Sequence, residues 1–426
     1  KRLYIIKVMI VLIPIFSDGF LHPSHKDNDL SLLYVRHWGD REGRIICLSH
    51  PDCGDKESID DIKNDQTNFY LTPDKKKLMN IFPNTRLIDV NYMNWWKTNK
   101  PMNLEDIRIN SYDFFNNKYY NMKNVNQIIP LVKHKEYCDK VFDKMQEVVS
   151  SVYDTPYNSE AIDVYNFIEK NGVKVSDDIL DIFDHRVKRH ISDGKLYSNY
   201  FLWTSTGRPS NSFGSVNFAA LNKEQRKGFI PEHDMLVEYD YDAYHLRLIA
   251  DLIDYKFPKG SVHEYLASFY GSTYEESKSI SFRLLYGGID KDIAKSIPFF
   301  GKVQHFIDEK WSEFNKNNYV KTNIYSRRIH KDNMSDVNKN KLFNYIIQAH
   351  ETETNIKTII DLKHYLLNRK SKLVLYGYDS FLFDIHKDDR VQVFRELKQI
   401  LERNGNLVKA KAGKNYGEMV NITEKI

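Results

Sequence analysis

Long apolar runs separated by polar turn clusters dominate the first 140 positions. Leu3 to Phe16 is almost wholly apolar but only 14 residues long, and it is interrupted by Lys7 and Pro14. That is too short to cross a bilayer, and no small-residue cleavage site follows that would make it a secretory leader. A run of this length reads as a buried β-strand. Leu32-Leu33-Tyr34-Val35 and Arg44-Ile45-Ile46-Cys47 repeat the β pattern between Asp/Gly/Pro clusters, which predicts a small α/β domain over residues 1–140. From about residue 135 to 192 the spacing changes. Ile162, Val164, Phe167 and Ile168 fall on one helical face, predicting a helical arm over 141–192. Thr206-Gly207-Arg208-Pro209-Ser210-Asn211-Ser212 is a loop, and strands and helices alternate from 193 to 426 without internal repeats or heptads.

Three stretches in that last region carry candidate chemistry. Met235 to Tyr241 is an apolar strand that delivers Asp240 and Asp242 directly ahead of an amphipathic helix. A carboxylate at the carboxyl end of a strand lies where ligands usually sit, although a helix cap is the commoner role for an aspartate there. Lys372 to Asp384 reads as two apolar strands flanking Asp379, a tight hairpin with the aspartate at its tip. Tyr274, Lys278, Phe282 and Tyr286 recur every four residues, so they form one stripe on a helix. Aromatic stripes usually pack a core, but a lysine in the middle is awkward to bury unpaired. A nucleotide facing the stripe would resolve this, with Lys278 on phosphate and the rings against base and sugar.

Charge decides little, because 62 basic residues nearly balance 58 acidic ones and leave a formal +4. Any nucleic-acid contact must come from local patches. The three cysteines, Cys47, Cys53 and Cys138, cannot all pair, which favours a reducing, cytoplasmic setting, the host's if the chain is viral. Cys47, His50 and Cys53 lack the second ligand pair that a zinc finger needs.

Taken in order, the three stretches resemble the motifs of family A DNA polymerases, especially compact phage-type ones. Further matches extend the resemblance over residues 190–426. Thr206-Gly207-Arg208 with Asn217 looks like the loop leading into the palm, and Arg226 like the basic residue ahead of the first aspartate strand. Tyr319-Val320-Lys321-Thr322 with Arg327-Arg328 looks like the turn after the fingers, and Asn344 with Gln348 like the polar primer-template helix. Lys411 to Tyr416 resembles the closing palm strand.

The resemblance implies an α+β right-hand polymerase fold: an antiparallel palm sheet, helical fingers and a reduced thumb, beside a small N-terminal α/β domain. It implies two Mg2+ ions on Asp240, Asp379 and the Tyr241 carbonyl, with primer-template DNA and dNTPs as partners and no membrane. Lys278 would meet the phosphates and act in catalysis, while Phe282, Tyr286, His245 and Tyr274 would surround the nucleotide. Arg208, Asn217, Arg226, Arg328, Asn344 and Gln348 would touch DNA. Three positions depart from the family. His245 stands where a glutamate usually gates against ribose. Tyr274 stands where an arginine is usual, leaving Arg283 or another basic residue to compensate. Tyr378-Asp379-Ser380 lacks an auxiliary carboxylate.

The N-terminal segment offers one Asp-x-Glu triplet, Asp55-Lys56-Glu57, in a polar turn rather than on an apolar strand. No 3′-5′ exonuclease is expected, and the segment reads as a vestigial exonuclease-like fold or a docking module for a separate exonuclease or processivity subunit. Among competing readings, a single-subunit RNA polymerase shares Lys278 and Tyr286 but fits Phe282 and this length poorly. A reverse transcriptase needs paired aspartates in the hairpin. A non-catalytic DNA-binding replisome subunit on a polymerase fold is the alternative from another class.

Overall fold

The computed structural model describes residues 9–16, 30–47, 56–102, 131–152, 160–183, 185–211, 216–389 and 391–426. His50, Cys53 and Asp55 lie outside this set. The chain divides into two compact units, Lys1–Asn166 and Phe167–Ile426.

In the first unit, β1 (Met9–Phe16), β2 (Leu30–His37), β3 (Arg44–Cys47), β4 (Phe69–Thr72) and β5 (Arg86–Asp89) form a sheet in the order β3-β2-β1-β4-β5. β1 runs antiparallel to β2 and parallel to β4. Alternate residues of a strand point to opposite faces, and both faces of β1 are covered. Val11 and Ile13 join a cluster with Phe142 and Met145, whereas Ile10 and Leu12 join another with Leu33 and Phe82. Burial on two sides explains why the strand is an unbroken apolar run. Helices α1 (Lys56–Asn64), α2 (Val90–Thr98), α3 (Leu131–Val152) and α4 (Glu160–Glu169) complete the order of the longer elements.

The boundary expected at residue 140 falls inside α3, whose Cys138, Val141, Phe142, Met145 and Val149 are buried in the first unit's core. The span 141–192, expected as a helical arm, contains the end of α3, α4, a short helix at Ile179–Ile182 and a 3-10 helix at His185–His190, with strands among them. Residues 173–196 contain β6 (Val173–Val175), β7 (Ile191–Ser192) and β8 (Lys195–Leu196). These join β9 (Phe229–Ile230) in a small four-stranded sheet, in the order β7-β8-β6-β9.

The second unit is built on a five-stranded antiparallel sheet. It comprises β10 (Met235–Tyr241), β13 (Lys372–Tyr376), β14 (Ser380–Ile385), β15 (Val408–Gly413) and β16 (Met419–Asn421), in the order β13-β14-β10-β15-β16. The strands β11 (Tyr319–Lys321) and β12 (Arg328–His330) make a separate hairpin. After β10 come α5 (Tyr244–Leu252), α6 (Val262–Tyr270), α7 (Tyr274–Gly287), α8 (Lys291–Ser296) and α9 (Pro298–Asn317). They pack around Leu246, Ile249, Leu266, Leu285, Phe299 and Phe300. The long α10 (Lys339–Leu366) and α11 (Gln392–Glu402) follow. Tyr239 and Tyr241 point from β10 towards α11, where their hydroxyls donate to the Phe394 and Leu401 carbonyls at 2.8 and 3.1 Å. The opposite face of β10 therefore carries Leu236, Glu238 and Asp240.

Candidate active site

Strand register brings the two aspartates together. Asp240 is paired across the sheet with Ser380, the residue after Asp379, and the Tyr241 N–H donates to the Asp379 carbonyl at 2.9 Å. Asp379 sits in the tight connection between β13 and β14, as the sequence predicts. Gly377 and Ser380 close that connection through an N–H to carbonyl bond of 2.8 Å. Backbone strain lies beside both carboxylates. Ala243 has φ 52° in the elbow between β10 and α5, and Tyr378 has φ 74° immediately before Asp379. Such residues each cost on the order of 1–3 kcal/mol and persist where their surroundings fix them. Tyr378 is fixed from two sides. Arg208 stacks over its ring at 3.9 Å, and Asn355 Nδ2 donates to its carbonyl at 2.7 Å.

A cavity of about 380 Å³ opens above this junction, lined among others by Arg208, Asp240, Tyr241, His245, Tyr274, Lys278, Phe282 and Asp379. Three members of the predicted stripe on α7 thus share one wall with both aspartates. The fourth, Tyr286, adjoins through His245: its hydroxyl bonds His245 Nδ1, and its ring stacks on Phe282 at 5.9 Å between centroids. The capping box of Thr273 and Glu276 fixes where α7 starts, and hence where the stripe points.

Electrostatically, burial and then neighbouring acids raise both carboxyls. Burial, then the neighbouring Asp379 and Glu238, push Asp240 up to about 6. Asp379 is raised by burial and next by Glu351. Both shifts say that the ionised pair lacks compensation in the protein alone. A site of two such carboxylates with a strand carbonyl beside them suits a hard divalent cation, which prefers oxygen ligands.

Glu351 escaped the sequence reading. It lies on α10 with no exposed surface, its carboxylate 3.2 Å from Arg208 Nε and 3.3 Å from His245 Nε2. The carboxylate accepts from Nε2, which leaves Nδ1 to accept from the Tyr286 hydroxyl. Asn355, also fully buried, accepts from the Tyr244 hydroxyl at 2.6 Å and donates to the Tyr376 hydroxyl at 2.8 Å. One signal was present in the sequence: His350 to Asn355 is a polar run in mid-helix, and all six residues are buried. Lys409 was missed as well. From β15 it reaches the Tyr274 hydroxyl at 3.3 Å and Asp242 at 2.6 Å, and it lines the cavity. Arg283, the named candidate to compensate for Tyr274, is exposed and does not line it.

The other predicted DNA contacts lie away from this cavity. Asn217 is exposed ahead of a short 3-10 turn. Arg226 stacks over Tyr416 at 4.7 Å and donates from Nε to the Leu221 carbonyl at 3.2 Å. Arg328 stacks on Tyr319. Asn344 and Gln348 are half-buried on α10. Arg327, by contrast, is buried and donates to the Ser205 and Thr206 carbonyls at 3.3 and 2.7 Å, pinning the loop that presents Arg208.

Among the described residues one trio has metal-ligand spacing, Glu232, His233 and Asp384, at the far end of the same strands. Protein groups account for it. Lys195 and Lys372 approach Glu232 at 2.7 and 2.9 Å. Asp384 accepts from the N–H groups of Glu232 and His233 at 2.6 and 3.1 Å. Among the described residues, no helix is long and apolar enough to cross a membrane.

No protein-family model matches the sequence, and no curated protein matches it either. Among solved structures, the chain is similar to the POL domain of Pol1 from M. smegmatis, solved in complex with DNA primer-template and dNTP. The TM-score is 0.73 at 14% identity, covering 96% of each chain. The likeness establishes the fold alone: an α+β fold like that of this POL domain, running through nearly the whole chain.

Proposed function

We propose that the chain is a template-directed DNA polymerase, a compact phage-type member of family A, that adds deoxynucleotides to a primer 3′-hydroxyl. The observation that carries this reading is the meeting of Asp240, Asp379 and the Lys278 stripe around one cavity on a polymerase fold. Asp240, Asp379 and the Tyr241 carbonyl are the groups that would hold two Mg2+ ions. Cations held there supply charge neutralisation for the triphosphate and a lowered pKa for the primer hydroxyl.

The protein's own contribution is positioning, which phosphoryl transfer needs more than covalent help. Lys278 and Lys409 present ammonium groups to the phosphates, Lys409 supplying the charge that Tyr274 lacks. Phe282 and Tyr286 form the wall for sugar and base. His245, held between Tyr286 and Glu351, fills the place of the family's ribose gate. Arg208, Asn217, Arg226, Arg328, Asn344 and Gln348 contact primer-template. The first unit, whose central strand β1 carries no carboxylate, is a vestigial exonuclease-like or docking module without its own 3′-5′ exonuclease.

Extension of a labelled primer on a DNA template tests this. Wild-type protein with Mg2+ adds deoxynucleotides, and Asp379→Asn abolishes addition while retaining primer-template binding. Wild-type protein that binds the duplex but is inert with all four nucleotides would instead support a non-catalytic DNA-binding subunit.

A further inference from the structure

The second unit has a second and larger cavity that shares no lining residue with the catalytic one. It measures about 670 Å³ and lies along the opposite flank of α5, within the size range of small-ligand sites. Its lining combines three kinds of group. Lys256 and Lys357 are exposed ammonium groups, and Arg247 is a third cation. Asp251 is the single acidic residue against them. Tyr255 and Phe257 contribute aromatic surface, and Asn323, Asn404 and Asn406 contribute amides.

The fourth contribution is His350, which is 3% exposed. Neither of its ring nitrogens has a partner within normal hydrogen-bond distance; the Asp251 carboxylate approaches Nε2 only to 3.6 Å. A buried polar group without a full partner is costly, and such groups in native structures call for an explanation. Burial lowers the histidine's pKa, so the ring offers one N–H donor and one acceptor to whatever enters. A cationic rim, an aromatic wall and a neutral donor-acceptor floor together match phosphate, ring and polar edge.

We propose that this cavity binds a free nucleoside phosphate at a site separate from the catalytic pocket. Lys256 and Lys357 take the phosphate, Tyr255 and Phe257 pack against the nucleoside, and His350 with Asn406 reads its polar edge. Arg247 joins the two sites physically. It lines this cavity, its Nε donates to the Asp242 carbonyl at 3.0 Å, and Asp242 lines the catalytic pocket. The proposal does not depend on catalysis by Asp240 and Asp379.

Calorimetric titration with AMP in EDTA tests it, using the full chain. Wild-type protein and Lys278→Ala are expected to bind AMP equally, whereas the double variant Lys256→Glu/Lys357→Glu, changed only at exposed positions, binds at least tenfold more weakly. His350→Ala is expected to weaken AMP similarly, and adenosine to bind worse than AMP. The double variant extends primers at the wild-type rate when AMP is absent. Four results would each overturn the proposal: no AMP binding at millimolar concentration, loss of binding in Lys278→Ala, indifference to the double charge reversal, or displacement by single-stranded DNA with no saturable AMP site. An inert wild-type enzyme that nonetheless shows the expected AMP pattern would reject the polymerase reading and leave this site standing.

Discussion

Replacing Asp240 by asparagine should make the metal-free protein more stable while destroying its activity. Asp240 titrates near 6 rather than at its ordinary 3.8, so holding it ionised at pH 7.5 destabilises the fold by roughly 3 kcal/mol. The sign follows from proton binding. The folded chain holds this proton more tightly than the unfolded chain does, so the contribution favours folding at acid pH and is lost as pH rises through about 6. The asparagine side chain keeps the shape and removes the charge. In EDTA at pH 7.5, Asp240→Asn should gain on the order of 2–3 kcal/mol, or roughly 5–10 °C in melting temperature for a unit of this size. The advantage should fall by about half at pH 5, where the wild-type carboxyl is mostly protonated when folded. Adding Mg2+ should narrow or reverse the ranking, because the wild-type site gains more from a bound cation. Thermal melts of both proteins at the two pH values, with and without Mg2+, give the comparison. A variant less stable than wild type at pH 7.5 in EDTA, or an advantage that grows towards acid pH, would refute the reasoning.

Other outcomes follow from the same network. Arg208→Ala removes the guanidinium beside the buried Glu351 and should destabilise by roughly 3 kcal/mol. Combining it with Glu351→Gln should recover much of that loss in denaturant melts, so equal stability of the single and double variants would argue against a charge pair. Asn355→Ala leaves the Tyr244 hydroxyl and the Tyr378 carbonyl without their partner. It should cost about 2–3 kcal/mol and lower kcat more than KM, since it loosens the turn that carries Asp379. His245→Ala should raise ribonucleotide incorporation at least tenfold relative to deoxynucleotide in single-addition assays, and unchanged discrimination would remove His245 from the sugar gate. Incubating a labelled primer with protein and Mg2+ but no nucleotides should leave its length intact, and 3′ shortening would contradict the proposal that the first unit is not an exonuclease.

The parts of the site legible in the sequence were those whose information is local. Asp240 ends an apolar strand, Asp379 sits in a two-strand turn, and the α7 stripe declares itself by its four-residue period, so each could be placed before any tertiary contact was known. Glu351, Asn355 and Lys409 were not legible as site residues, because their role depends on which face of a long helix or of an inner strand meets a distant part of the chain. Glu351 lies 106 positions from His245, and Lys409 lies 135 from Tyr274. The packing of α3 was not legible for a related reason. A polar-apolar period shows that α3 is a helix, but not that its apolar face packs in the first unit's core rather than standing free.

Cation binding at the paired carboxylates is the most direct test of the central claim. Titration of Mn2+ into the protein with primer-template and nucleotide, followed by electron paramagnetic resonance, should show saturable binding in wild type. That binding should be weakened at least tenfold by Asp240→Asn and by Asp379→Asn alike. Equal Mn2+ affinity in all three proteins would mean that the two aspartates do not share cations, and the nucleotidyl-transfer account would be wrong.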